Sequence, residues 1–121
     1  MCRTLIVDDD DDIRMLLRLG IERANNGLEV AGEAANGLDA IQRWRETDPD
    51  VILLDHSMPG MTGMEVARVI LGEQPDQAII MFTAYTNSAE LRSATDQGVR
   101  AVVDKKEWAS VPDLIRKCSD S

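Results

Sequence analysis

Aromatic side chains are scarce: the chain has one Phe, one Tyr and two Trp in 121 residues. Its core therefore rests on Leu, Ile, Val, Ala and Met, and buried aliphatic strands are expected. Cysteine is nearly absent too. Cys2 and Cys118 sit near opposite ends with no CxxC or Cys/His spacing around them, which excludes a disulfide framework and reads as two reduced thiols. Positive charge is in deficit, with 13 Lys and Arg against 22 Asp and Glu and a net charge of −9. That field repels nucleic acid and anionic membranes, and no nucleic-acid or membrane binding is expected. No apolar run approaches the roughly eighteen residues of a spanning helix, and the N-terminal stretch lacks a signal-peptide layout. A cytoplasmic protein is expected. What is present, 44% hydrophobic and 29% charged residues, fits a folded globular chain, read as one domain over residues 1–121.

Short apolar runs alternate with longer amphipathic stretches, without linker or repeat. Thr4-Leu5-Ile6-Val7 reads as a strand stopped by aspartates. Ile13, Leu16, Leu17 and Ile21 recur at helical spacing, and the preceding aspartates suit the positive end of a helix dipole. Asn25-Asn26-Gly27 should end that helix, and Leu28 to Ala34 reads as the second strand. Asn36 is a good N-cap for a helix carrying Leu38, Ala40, Ile41 and Trp44, broken at Asp48-Pro49. Val51 to Leu54 is apolar without alternation, as a strand covered on both faces should be. A third helix is predicted from about Thr62 to Leu71, a fourth strand at Ala78 to Phe82, and a fourth helix at Ser88 to Gln97. A fifth strand at Val99 to Val103 and a last helix at Val111 to Lys117 complete five βα units. The expectation is an α/β doubly wound, flavodoxin-like fold: a five-stranded parallel sheet of order 2-1-3-4-5 with helices on both faces.

Ligands of such sheets bind beyond the carboxyl ends of the strands. The residues there are Asp8 and Asp9 after the first strand, Asp55 after the third, Thr83 after the fourth and Lys105 after the fifth. Three carboxylates in one pocket are unfavourable unless a cation compensates. Mg²⁺ takes one or two carboxylates and keeps waters that phosphoryl oxygens can replace. Thr83 and Lys105 suit those oxygens, and one aspartate would be the nucleophile of an aspartyl phosphate. Each residue alone has a blander explanation, in helix-end charge bias for the aspartates or an ordinary turn for Asp55, Thr83 and Lys105. Their coincidence outweighs it. A calcium-loop reading of the aspartate run fails for want of the glycine and the final glutamate. The lone His56 is given no catalytic role. Met58, Met61 and Met64 read as packing, and Trp44 and Trp108 as partly buried helix residues.

Thr4 to Asp9 (TLIVDD), Asp55 to Gly63 (DHSMPGMTG), Phe82 to Tyr85 (FTAY) and Gly98 to Lys105 (GVRAVVDK) together resemble the successive signatures of response-regulator receiver domains. The resemblance runs from about Arg3 to the C-terminus. It implies that Asp55 accepts phosphate and that Asp8 and Asp9 bind Mg²⁺ (Mn²⁺ being the alternative), Asp9 directly and Asp8 mainly through water. It implies the Ser57 carbonyl as a further ligand, Thr83 as switch hydroxyl, Lys105 as phosphate partner, and Ala84 as the small residue leaving room for the phosphoryl group. Ser57 and Tyr85 take positions that tune phosphoryl lifetime in the family. Two departures stand out. Lys106 replaces the family's proline after the lysine, so a trans peptide or a remodelled loop is expected. Val102 replaces a frequent switch aromatic.

The implied function is a two-component receiver that takes a phosphoryl group from a sensor histidine kinase or a histidine phosphotransfer protein. It would assist its own phosphorylation and dephosphorylation without being an enzyme in the ordinary sense. A downstream protein or output domain would bind the face of the fourth helix, fifth strand and fifth helix, with the chain a monomer or a weak phosphorylation-dependent dimer. Alternatives are a receiver-like binding module that is never phosphorylated and a Mg²⁺-dependent aspartyl-phosphate phosphohydrolase. The latter lacks a general-acid Asp at position 57, which is Ser.

Overall fold

The apolar runs become five parallel strands, of which the three central ones are covered on both faces while the two edge strands are half-buried. The computed structural model describes residues 2–24, 27–84 and 88–119. In chain order they form β1 (Cys2–Val7), α1 (Asp11–Ala24), β2 (Leu28–Ala34), α2 (Gly37–Thr47), β3 (Val51–Leu54), α3 (Gly63–Glu73), β4 (Ala78–Thr83), α4 (Ala89–Arg92), β5 (Ala101–Asp104) and α5 (Val111–Ser119). Short 3₁₀ turns at Thr95–Gln97 and Lys105–Ser110 flank β5. The sheet order is β2-β1-β3-β4-β5, all pairs parallel, as the βα alternation predicts. No helix of the described residues is long and apolar enough to cross a membrane.

Successive residues of each strand feed opposite layers. Leu5, Ile52, Leu54, Ile79 and Met81 pack under α2, α3 and α4. Ile6, Val51, Leu53, Ile80 and Phe82 pack under α1 and α5. Trp44 is buried in the first layer while Trp108 is exposed, so the expected partial burial holds for neither.

Local signals set most boundaries. The Asn36 side chain accepts the Asp39 N–H at 2.9 Å and caps α2. Asp48, at φ 46°, ends α2 in the left-handed region ahead of Pro49. Thr62 and Glu65 close a reciprocal capping box on α3. The predicted end of α1 lies partly outside the described residues, at Asn25 and Asn26. Several elements run a residue or two beyond the sequence expectation, while the fourth helix and the start of the fifth strand fall short of it. The fourth helix keeps one α-turn, because Ser93 Oγ donates to the Glu90 carbonyl at 3.1 Å and Ala94 and Gln97 donate to carbonyls three residues back. Ser, Thr and Asp side chains compete for the backbone in this way. Strand β5 begins at Ala101 instead of Val99, since the Val99 N–H donates to the Ala94 carbonyl at 3.1 Å and stays in the preceding turn.

One buried polar cluster secures the amino-terminal edge of the sheet. Trp44 Nε1 donates to Gln77 Oε1 at 3.0 Å, and Gln77 Nε2 lies 3.2 Å from the carbonyls of Pro49, Asp50 and Ala78. Gln77 is 3% exposed. Gln77→Leu, which keeps the volume and leaves these groups unpaired, should cost about 2–3 kcal/mol of stability, read by urea denaturation.

Candidate functional site

The run Asp8 to Asp12 has one charge type and several jobs. Asp8 is 1% exposed, and its Oδ1 accepts the Asp10 N–H at 2.9 Å. Asp9 points to the rim and is exposed. Asp10 Oδ1 accepts the N–H groups of Asp12 and Ile13 at 2.9 and 3.3 Å, which caps α1. Asp11 pairs with Arg14, whose guanidinium also donates to the Asp8 carbonyl at 2.6 Å.

Asp55 follows β3 and is 2% exposed. Its Oδ1 accepts the Ser57 N–H at 3.3 Å. Behind it Gly63 brings α3 against the end of β3: a Cβ there would lie 2.4 Å from the Asp55 carbonyl oxygen, so only glycine fits. Carboxylate oxygens of Asp8, Asp9 and Asp55 all come within 4.8 Å of one another. Lys105 reaches in from the end of β5, with Nζ 2.8 Å from Asp8 Oδ2 and 3.5 Å from Asp55 Oδ2. Asp9, Asp10, Asp55, Ser57, Ala84 and Lys105 line a cavity of about 400 Å³ at this rim. Sequence reasoning missed Asp10, although an Asp three residues before Ile13 is an N-cap pattern.

Thr83 is the last residue of β4 and fully buried. It lies at the same end of the sheet but is not part of the cavity lining, which Ala84 supplies. Val102 is half-buried and packs on the α2–α3–α4 layer. All described peptide bonds are trans; the Lys106 N–H, which a proline would lack, donates to Asp104 Oδ1 at 2.9 Å and starts the 3₁₀ turn. Tyr85 lies outside the described residues.

Burial, and then the Asp8 charge, push the Asp55 pKa from 3.8 up to about 6, although Lys105 opposes them. Burial works against the Lys105 ammonium, yet its contacts with Asp8 and Asp55 outweigh this and raise its pKa. The donor set suits a hard divalent cation: three clustered carboxylates, two of them buried, face one lysine. A linkage consequence follows for the metal-free protein. The raised Asp55 pKa contributes stability that is fully present below pH 3.8 and lost as pH rises through about 6. At pH 7, Asp55→Asn should therefore stabilise the fold by on the order of 2 kcal/mol in EDTA, and by less at pH 5. Urea denaturation of both proteins at the two pH values measures the difference.

The chain matches the family profile of the response regulator receiver domain over residues 4–116. It is 37% identical over 103 residues to the chemotaxis protein CheY of Thermotoga maritima, covering 85% of this chain and 84% of that protein. It is 34% identical over 120 residues to the transcriptional regulatory protein LiaR of Bacillus subtilis, covering 98% of this chain but 56% of LiaR. Of the protein-glutamate methylesterase of Hahella chejuensis, 37% identical, it spans 32%. Among solved structures, the response regulator domain of Thermotoga maritima CheB superposes with a TM-score of 0.90 at 26% identity, over 100% of this chain and 98% of that one. A LuxR-family response regulator from Aurantimonas sp. SI85-9A1 gives 0.91 at 31% identity, over 99% of this chain and 86% of that one.

Proposed function

Because the chain belongs to the response-regulator receiver family, the phospho-accepting switch of two-component signalling, we propose that Asp55 is its phosphoryl acceptor. The supporting observation is the meeting of Asp8, Asp9 and Asp55 within 4.8 Å, beside Lys105. Asp8, Asp9, Asp55 and the Ser57 carbonyl would hold Mg²⁺, or Mn²⁺ in its place. When bound, the cation offsets the carboxylate charge and that of the incoming phosphoryl oxygens. Asp55 Oδ attacks phosphorus, the N–P bond of a phosphohistidine breaks, and the donor ring nitrogen keeps the electron pair. Lys105, steadied by Asp8, meets one phosphoryl oxygen. Ala84 leaves room for the group, and the Thr83 hydroxyl, at the end of β4, would meet a second oxygen.

In this reading residues 1–121 form one receiver unit in the cytoplasm, phosphorylated by a sensor histidine kinase or a histidine phosphotransfer protein. The unit assists its own phosphorylation and dephosphorylation, and no separate catalytic activity is assigned to it. The α4-β5-α5 face carries the output to a downstream protein or output domain, with the chain a monomer or a weak phosphorylation-dependent dimer. Intact-mass spectrometry after incubation with acetyl phosphate tests the proposal. One phosphoryl group should appear with Mg²⁺ and none with EDTA; no gain in either would support the unphosphorylated binding module instead.

A further inference from the structure

His56 stands next to Asp55 in sequence, is 9% exposed, and has no part in the chemistry proposed above. Its carbonyl accepts the Gly63 N–H at 2.9 Å, and its Nδ1 accepts the Met64 N–H at 3.3 Å. Both donors are first-turn groups of α3 that would otherwise lack a helical partner. Since Nδ1 accepts, the ring carries its proton on Nε2. That nitrogen lies 3.6 Å from Glu90 Oε2 on α4, beyond a direct hydrogen bond but within close electrostatic reach. Glu90 Oε1 faces Arg68 of α3 at 3.4 Å, Arg68 Nε donates to Gln97 at 3.0 Å, and Gln97 donates to Ser93 at 3.0 Å. The one-turn α4 and the 3₁₀ turn after it are thus tied by polar contacts to α3 and to the residue beside Asp55.

We propose that His56 is a positioning residue that, through Glu90, holds α4 in the arrangement belonging to unmodified Asp55, and that releasing this contact favours phosphorylation. The inference rests on Asp55 being the acceptor. In the arrangement with the contact made, Thr83 is fully buried and Ala84, not Thr83, faces the cavity. Coupling is reciprocal at equilibrium: a contact stronger before phosphorylation opposes it. Where labelling draws on the population in which the contact is open, its loss enlarges that population and speeds labelling. The plainer view, that the ring only anchors the loop, predicts that its loss slows the reaction or leaves it unchanged.

His56→Asn separates the two. The Asn oxygen can still accept the Met64 N–H, while nothing remains to reach Glu90. Glu90→Gln removes the other side of the contact from a partly exposed position on α4, so it serves even where His56→Asn loses the fold. Rates of labelling by acetyl phosphate at saturating Mg²⁺ should rise about 2- to 5-fold in each variant, and the double variant should exceed neither. Wild-type or slower rates in Glu90→Gln, or multiplied effects in the double variant, overturn the coupling. If the wild type labels normally, that failure leaves Asp55 as acceptor standing. If the wild type takes no label at all, the acceptor assignment falls and this inference with it.

Discussion

Asp55→Asn is expected to take up no phosphoryl group under conditions that fully label the wild type, a loss of at least about 100-fold in rate. An amide oxygen is a poor nucleophile, and no neighbouring group replaces it. Asp8 is 1% exposed and faces the Lys105 ammonium at 2.8 Å, while Asp9 sits on the exposed rim. The variant keeps the shape of the side chain, and its oxygen can still accept the Ser57 N–H that Asp55 Oδ1 takes at 3.3 Å. Loss of labelling would therefore report chemistry, and the added stability expected at pH 7 would show that the fold persists. Intact mass of the two proteins decides it. A phosphoryl group on Asp55→Asn at the wild-type rate would move the acceptor elsewhere.

Lys105→Met should produce a large loss of stability that a divalent cation reverses. The lysine is the cation closest to the cluster, 2.8 Å from Asp8 and 3.5 Å from Asp55. Removing one partner of a buried charge pair costs about 3–5 kcal/mol. Proton uptake by Asp55, whose pKa already lies near 6, limits that cost. A net loss of about 2–3 kcal/mol is expected at pH 7 in EDTA, or a drop near 10 °C in thermal midpoint. Millimolar Mg²⁺ should restore most of it, because a bound cation supplies the missing positive charge. Lowering the pH to 5 should restore part by protonating Asp55. Circular-dichroism melts in EDTA, in Mg²⁺ and at pH 5 measure all three. A melt unchanged in EDTA would show that Lys105 does not balance the carboxylates.

Much of this was legible along the chain. The unbroken apolar run Val51 to Leu54 marked β3 at its observed bounds, β2 lies at Leu28–Ala34 as read, and Asn36 announced α2. The aspartates, Thr83 and Lys105 all fall at strand ends, where a parallel sheet displays its ligands. The fourth helix, read over Ser88 to Gln97, misled: Ser93 and the 3₁₀ bonds after it shortened α4 to one turn. Asp104 was given no role in the sequence; its acceptance of the Lys106 N–H shows how the chain turns there without a proline.

The amino-acid order by itself determined the strands, most helix starts, the sheet order and which residues lie at its carboxyl rim. Apolar period, caps and turn residues act over a few positions, and crossover handedness does the rest. Only the tertiary structure decided that Asp8 is sealed while Asp9 stays open, that Lys105 falls between Asp8 and Asp55, and that His56 faces Glu90. Those distances depend on how helices from separate units seat on the sheet, and no local pattern encodes that.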